Sequence, residues 1–370
     1  MNPIIYAMPI FALSILGEAW LARRRKLATY DIPDAITSLH FGILSQISGS
    51  FMGLLNFGIY AWVFEHFRGT TLPSNQLWVW LFALLSYDFL YYWVHRAGHE
   101  VNLFWAAHQV HHSSEYYNLS TALRQTSTGA LVVWVFYLPM ALIGIPPLIF
   151  AAVALIDLLY QYWVHTELIR KLGWADRIFV TPSNHRVHHG QNDYCIDRNY
   201  GGLFIIWDRL FGTYSEERDD EPVVYGIRKP LASYNPVYGN LHIYGEIWRA
   251  SRTANNARAA LSIWFAPPAG WNTALPHLDV TQLTRYDKQT PRSIRQYALF
   301  QYALLLLLVV HFIMASPTFT LSMRVLYALL LVGSALSLSW LLEGRSFARK
   351  LEAARIVLLV GLGFWLINMP

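Results

Sequence analysis

Three short boxes hold the residues best suited to chemistry: His95-Arg-Ala-Gly-His99, His108-Gln-Val-His111-His112 and His185-Arg-Val-His188-His189. On a helix, residues three or four apart share one face about one turn apart, so each box can aim its imidazoles at a common ion. Nine of the chain's 14 histidines lie between His95 and His189, and eight of those nine keep this spacing. A single histidine in an apolar protein is ordinarily a hydrogen-bonded core or surface residue. A spacing repeated three times calls for a different explanation, and a metal cage supplies it.

The ligand chemistry is narrow. Cys195 is the only cysteine, which excludes an intrachain disulfide, an iron–sulfur cluster and a thiolate zinc site. Its expected role is structural. Metal binding therefore falls to nitrogen and oxygen donors. Eight box histidines are too many for one ion and suit two ions with four or five ligands each, which leaves positions open for a small molecule.

An internal echo adds a ninth imidazole. Asp88-Phe-Leu-Tyr-Tyr-Trp-Val-His95 is matched by Asp157-Leu-Leu-Tyr-Gln-Tyr-Trp-Val-His165, with one residue inserted. His165 thereby joins the expected ligands. Asp88 and Asp157 stand about two helical turns before these histidines, and an ionisable side chain inside a membrane helix is a functional-site hypothesis by default. Both are expected to assist catalysis by accepting an imidazole N–H, although carboxylates that only pair helices would look the same. Glu100, adjacent to the first box, is a candidate catalytic group, a cofactor contact or a solvated charge. Arg124 and Arg186 are expected to meet headgroups or carboxylates.

The elements that must position these groups are membrane helices. Of 370 residues, 55% are hydrophobic and only 14% are charged, and mean hydropathy is +0.29, values of a chain whose main solvent is the bilayer. Fifteen Trp and 22 Tyr suit the aromatic belts at membrane interfaces. A net charge of +5 suits anionic headgroups, and no basic run with interleaved aromatics indicates nucleic-acid binding.

Hydropathy predicts an all-α integral membrane protein with about eight transmembrane helices and a helical cytoplasmic cap around the di-metal site. Residues 3–21 form a first span, followed by Arg23-Arg24-Arg25-Lys26, a charge order opposite to that of a cleaved signal peptide. Residues 36–64 return the chain outward and 76–94 bring it inward to His95. Runs at 129–145 and 148–164 form a hairpin hinged at Pro146-Pro147, whose second arm delivers His165. On this topology Asn118-Leu-Ser120 is a sequon on the wrong side of the membrane. Residues 239–265 alternate apolar and basic positions, as in a segment lying along headgroups up to the Pro267-Pro268 turn. Runs at 297–315, 319–342 and 356–369 add three spans, with Arg345, Arg349, Lys350 and Arg355 between the last two. Both termini then lie outside and every box lies inside. The expected regions are N-terminal membrane helices at 1–75, a catalytic region at 76–215, a cytoplasmic or interfacial segment at 216–296 and C-terminal membrane helices at 297–370.

Taken together, the boxes HxxxH, HxxHH and HxxHH resemble those of the fatty acid hydroxylase and sterol desaturase superfamily over roughly residues 80–215. His108-Gln-Val-His-His-Ser-Ser-Glu115, Tyr117-Asn-Leu-Ser-Thr-Ala-Leu-Arg-Gln125 and the stretch from Asn199-Tyr-Gly-Gly to Trp207-Asp-Arg-Leu-Phe-Gly-Thr are most similar to its alkylglycerol monooxygenase branch. The resemblance implies a non-haem di-iron, oxygen-dependent membrane enzyme acting on lipid chains. In that branch tetrahydrobiopterin is the reductant; another electron donor is the alternative. Imidazole alone does not name the metal, but oxygen attack on an unactivated C–H bond requires a redox-active one, which zinc is not. The expected function is ether-lipid hydroxylation. Fatty acyl or sterol hydroxylation or desaturation is the alternative, and a non-catalytic metal-binding membrane protein the reading from a different class. A zinc protease is excluded because His99-Glu100 is followed by Val, Asn and Leu103, which breaks HExxH. A bis-histidine haem carrier would need two facing histidines within the bilayer, not three interfacial boxes.

Overall fold

The computed structural model describes residues 4–268, 279 and 282–368. Pro3 and Met369, at the ends of the first and last expected spans, lie outside the described residues, as does part of the 216–296 segment. The protein is all-helical, with only two isolated β-bridges among the described residues, Phe179 to Phe204 and Gly190 to Tyr225.

Helix α1 spans Ile4–Arg24 and α2 spans Ile32–Phe67. Asp31 caps α2 by accepting the Asp34 amide, and Pro33 suits a first turn whose N–H groups have no helical partner. At 36 residues α2 is the spine of the molecule. Its first half packs Ile43, Leu44 and Ile47 against α12 (Arg292–Ala315) and α13 (Leu321–Leu342). Its second half packs Tyr60, Val63 and Phe64 against α3 (Leu77–Glu100), α6 (Leu138–Leu142) and α7 (Pro147–Trp163). The last helix, α14 (Ala348–Ile367), is tied in by a buried polar cluster: Arg355 donates to Glu352 and to Gln301 of α12, and Ser337 of α13 donates to Glu352.

Between these lie shorter helices: α4 (Asn102–His112), α5 (Leu119–Ala122), α8 (Pro182–His188), α9 (Ile206–Phe211), α10 (Pro236–Arg252) and α11 (Ala257–Phe265). Helix α4 folds back on α3 after the single linking residue Val101, whose amide caps α3 at Ala97. This turn sets the second box against the first. Helices α10 and α11 leave Leu241, Trp248, Leu261 and Phe265 exposed, the apolar faces expected of the 239–265 segment.

Among the described residues, five helices are long and apolar enough to cross a membrane: α1, α2, α3, α12 and α13. The helix expected over 129–145 is instead two short 3-10 turns followed by α6. Pro139 supplies no amide there, and Asn56 of α2 donates to the Ala130 carbonyl of the broken stretch. The α7 arm is helical but only 17 residues long. The Pro146-Pro147 turn nevertheless lies by the α2–α3 loop, since the Gly69 and Leu72 amides donate to the Leu142 and Gly144 carbonyls. In α14, Arg349, Lys350, Glu352 and Arg355 charge the first half of the helix.

Candidate metal centre

All nine predicted imidazoles converge. His95, His99, His108, His112 and His188 form one group, and His111, His165, His185 and His189 a second; in each, the donor nitrogens lie within 4.8 Å of one another. The groups abut, with the His112 and His189 rings stacked at 4.3 Å between centroids. The second group is wholly buried, whereas His99 and His108 of the first keep partial exposure.

Helix geometry explains the division. Residues i and i+4 lie about 40° apart around a helix, while i+3 lies about 60° to the other side. In the second box His108 and His112 face the first group, and His111 turns to the other. The third box does the reverse: His185 and His189 face the second group and His188 turns to the first. Each HxxHH box thus gives two imidazoles to one group and one to its neighbour.

Main-chain carbonyls orient the rings. His95 Nδ1 lies 2.7 Å from Tyr200 O, His111 Nδ1 3.1 Å from Arg124 O, His165 Nδ1 2.8 Å from Gln161 O and His188 Nδ1 2.9 Å from Arg198 O. A carbonyl can only accept, so each of these Nδ1 atoms carries the hydrogen and each Nε2 presents a lone pair inward. Burial holds His165 and His188 well below the ordinary imidazole pKa and His111 at about 4, so these rings are neutral at pH 7.

The donor set fits a metal. His111 Nε2 and His165 Nε2 are 3.2 Å apart with no proton to share, an arrangement of two lone pairs that a cation between them relieves. The other close pairs, His95–His108, His108–His112, His165–His185 and His185–His189, are 3.0 to 3.1 Å apart at Nε2. Two nitrogens each about 2.0–2.1 Å from one ion would be about 2.9–3.4 Å apart. His99 Nε2 and His188 Nε2 are buried without any hydrogen-bond partner.

The carboxylates do a different job from the one expected. Asp88 accepts from the Leu203 amide (2.6 Å), the Phe204 amide (3.2 Å) and Trp207 Nε1 (2.7 Å), and none of its hydrogen bonds goes to an imidazole. Asp157 accepts from Gln161 Nε2 at 2.6 Å, two helical turns short of His165. The reason is that carbonyls next to the boxes already take the ring N–H groups. Both aspartates reach Gly202, where a Cβ would stand 2.8 Å from Asp157 Oδ1 and 3.0 Å from Asp88 Oδ1, so only glycine lets this backbone approach. Glu100 stands at the rim, accepting from Arg96 Nε at 2.9 Å and lying 3.4 Å from the Tyr200 hydroxyl; it belongs to neither imidazole group.

Several supporting residues have no single-residue signature in the sequence. Asp208 accepts the Tyr200 and Gly201 amides and the Thr213 hydroxyl, which fixes the turn whose Tyr200 carbonyl holds His95. Asn199, at φ 58, donates to the Asn184 and Ser215 carbonyls; the left-handed region tolerates asparagine better than most residues. Arg124 is buried and donates to Val110 O, Ser113 and Ser38, and pairs with Asp34 at 3.4 Å. Arg186 holds Glu217 through two bonds of 2.6 and 2.7 Å. Both arginines meet carboxylates, one of their two expected partners. Cys195 is buried and burial pushes its thiol up to about 12, which suits the structural role.

A helical membrane protein with a nitrogen-only double cage of this pattern falls into the fatty acid hydroxylase class, whose family model matches residues 80–213 and so spans all nine imidazoles. Relatives matched over most of this chain narrow the class. Alkylglycerol monooxygenase of Danio rerio is 41% identical over 343 residues, covering 89% of this chain and 75% of the relative. The Homo sapiens alkylglycerol monooxygenase is 40% identical over 311 residues, covering 81% and 68%. An ornithine lipid hydroxylase of Rhizobium tropici is 29% identical over 133 residues, 36% of this chain and 40% of the relative. The chain belongs to the alkylglycerol monooxygenase family, within the fatty acid hydroxylases. No solved structure matches it.

Proposed function

We propose that this integral membrane protein is a di-iron monooxygenase that cleaves ether lipids. The observation that carries the proposal is the division of nine imidazoles into neighbouring groups of five and four. His95, His99, His108, His112 and His188 would hold one iron; His111, His165, His185 and His189 would hold the other. When bound, the metal pair supplies redox activation of dioxygen.

The protein's own part is positional. Its carbonyls fix the ring tautomers, burial of the second group excludes water, and the partial exposure of His99 and His108 supports substrate approach on the side of the five-imidazole group. Insertion of one oxygen atom at the ether α-carbon, R–CH2–O–R′ + O2 + 2e− + 2H+ → R–CH(OH)–O–R′ + H2O, gives a hemiacetal. It collapses to an aldehyde and the free glycerol hydroxyl. The two electrons come from a tetrahydropterin; a ferredoxin-type donor is the alternative.

The topology is part of the proposal. With α1, α2, α3, α12, α13 and α14 as crossings and the 129–163 hairpin as two more, the count is eight. The basic residues Arg23–Lys26 and Arg345–Arg355 then lie on the same cytoplasmic side as the boxes. Support for the hairpin comes from its turn meeting the α2–α3 loop.

The test is to incubate iron-loaded protein with alkylglycerol, acyl lipid and sterol under ¹⁸O2, with tetrahydropterin or a ferredoxin system. The expected product is a fatty aldehyde carrying label, corrected for exchange with water. Label in a hydroxy-acyl chain or sterol, or a new double bond without label, would replace this substrate assignment. No oxygen uptake by protein shown to hold two irons would overturn the oxygenase reading itself.

A further inference from the structure

Beside the N-terminal end of α8, a cavity of about 630 Å³ opens between the 171–177 loop and α9. Its charged lining is Lys171, Arg177, Arg209, Asp176 and Glu216, with Trp174 and Tyr214 as aromatic walls. The two acids are engaged: Asp176 accepts the Leu172 amide and the Thr181 hydroxyl, and Glu216 pairs with Lys171 at 3.4 Å. The Arg177 side chain makes no hydrogen bond or ion pair among the described residues. Arg209 lies over the Tyr214 ring at 3.8 Å and has no carboxylate partner among them. Two guanidinium groups therefore line a cavity without an ion-pair partner among the described residues, the two carboxylates there being held by other groups.

The surroundings say what kind of anion fits. Trp174 in the lining is exposed, and so are Leu172, Ile178 and Leu210, the chain neighbours of lining residues, an apolar set with a Trp of the sort found at headgroup level. Helix α9 packs on the second half of the α3 span, with Phe89 to Trp207 at 5.1 Å and Trp93 to Phe211 at 5.1 Å between ring centroids. An opening beside the end of a candidate membrane span, with exposed guanidinium groups next to exposed apolar side chains, has the character of the level where phosphate groups and acyl chains join.

We propose that this cavity binds the phosphate of a membrane lipid headgroup through Arg177 and Arg209. Guanidinium groups suit the site because they present paired N–H donors to phosphate oxygens. The inner wall includes Ser183 and Asn184, directly before His185. Asn184 donates to the Asp176 and Phe179 carbonyls, so a lipid seated there would brace the loop that leads into α8 and its third box. The inference is independent of the metal and of the ether-lipid assignment.

The test uses the full chain in neutral detergent, titrated with phosphatidylglycerol and with diacylglycerol of the same acyl chains and followed by native mass spectrometry. Wild type is expected to retain phosphatidylglycerol at least tenfold better than diacylglycerol. The double variant R177Q/R209Q should lose that preference, and R177K/R209K, which keeps the charge, should recover part of it. Unchanged metal content and circular dichroism would show that the variants fold. Equal retention by wild type and folded R177Q/R209Q would overturn the proposal. So would full displacement of the lipid by submillimolar inorganic phosphate, which would mark a site for a free anion.

Discussion

Replacing Asp88 by asparagine tests how the first imidazole group is built. The Asp88 carboxyl accepts three hydrogen bonds on two oxygens, from the Leu203 and Phe204 amides and Trp207 Nε1. The carboxamide of the D88N variant would keep one accepting oxygen and turn its NH2 toward the remaining donors, leaving one or two buried N–H groups unpaired. At about 1–3 kcal/mol per unsatisfied group, the local cost is about 1–6 kcal/mol. That cost falls on the turn whose Tyr200 carbonyl fixes His95 Nδ1 at 2.7 Å. Loss of such an orienting partner typically lowers metal affinity about 10–100-fold. His111, His165, His185 and His189 draw none of their orienting bonds from this turn, so their ion should stay. The expected result for D88N is metal content falling from two toward one per chain by elemental analysis, with activity restored in part by excess iron. Retention of both metals with full turnover would refute the reasoning, and so would loss of both from a chain that still folds.

Other perturbations follow from the same geometry. His111→Ala and His188→Ala should each lower metal content and abolish turnover, whereas His66→Ala and His311→Ala, outside both groups, should leave both unchanged; equal loss in all four variants would implicate misfolding. Gly202→Ala places a methyl about 3 Å from two carboxyl oxygens, a cost of about 1–3 kcal/mol; an unfolding midpoint equal to wild type in detergent would show that the turn yields freely. For the metal-free protein, the buried His111 is held at about 4, below the unfolded value of about 6.5. The folded state therefore binds fewer protons between these values, and stability is full above about pH 6.5 and falls as pH drops toward 4. The slope is about 1.4 kcal/mol per pH unit for each imidazole in that state, so the apparent melting temperature of chelated protein should fall between pH 7 and 5; a rise would contradict the neutral-ring assignment.

The imidazoles were legible in the sequence because helical spacing alone puts i and i+4 on one face, and the repeated Trp-Val-His tied His165 to His95. The residues that aim them were harder to find. The acceptors for His95, His111 and His188 are the carbonyls of Tyr200, Arg124 and Arg198, and every residue carries a carbonyl, so no residue type marks them. Asp88 and Asp157 stood out as charges in apolar helices. Their helical register pointed to the same face as the histidines, but Asp88 takes its partners from Leu203, Phe204 and Trp207, more than a hundred residues away in sequence, and Asp157 takes its own from Gln161 on the same helix. In the membrane part, hydropathy found the five long apolar helices. It overran at 129–145, where Pro139 and a hydrogen bond from Asn56 replace a continuous helix with short turns.

The echo between the two halves of the site goes deeper than the shared Trp-Val-His. Helix α3 supplies His95 to the five-imidazole group and the chain after α7 supplies His165 to the four-imidazole group; each group then takes an i, i+4 pair from one HxxHH box and the odd residue from the other. Four imidazoles per group follow from this exchange, and the fifth comes from His99, one turn beyond His95 on the same helix. The matching position four residues beyond His165 is Ile169. It could not serve even as histidine without rebuilding, because α7 ends at Trp163 and the Ile169 carbonyl is taken by Arg186 at 2.7 Å. The inequality of the two groups thus comes from helix length: α3 runs a full turn past its Trp-Val-His, and α7 stops at the Trp of its own. The longer helix carries its extra imidazole to the five-imidazole group, the one in which His99 and His108 remain partly exposed.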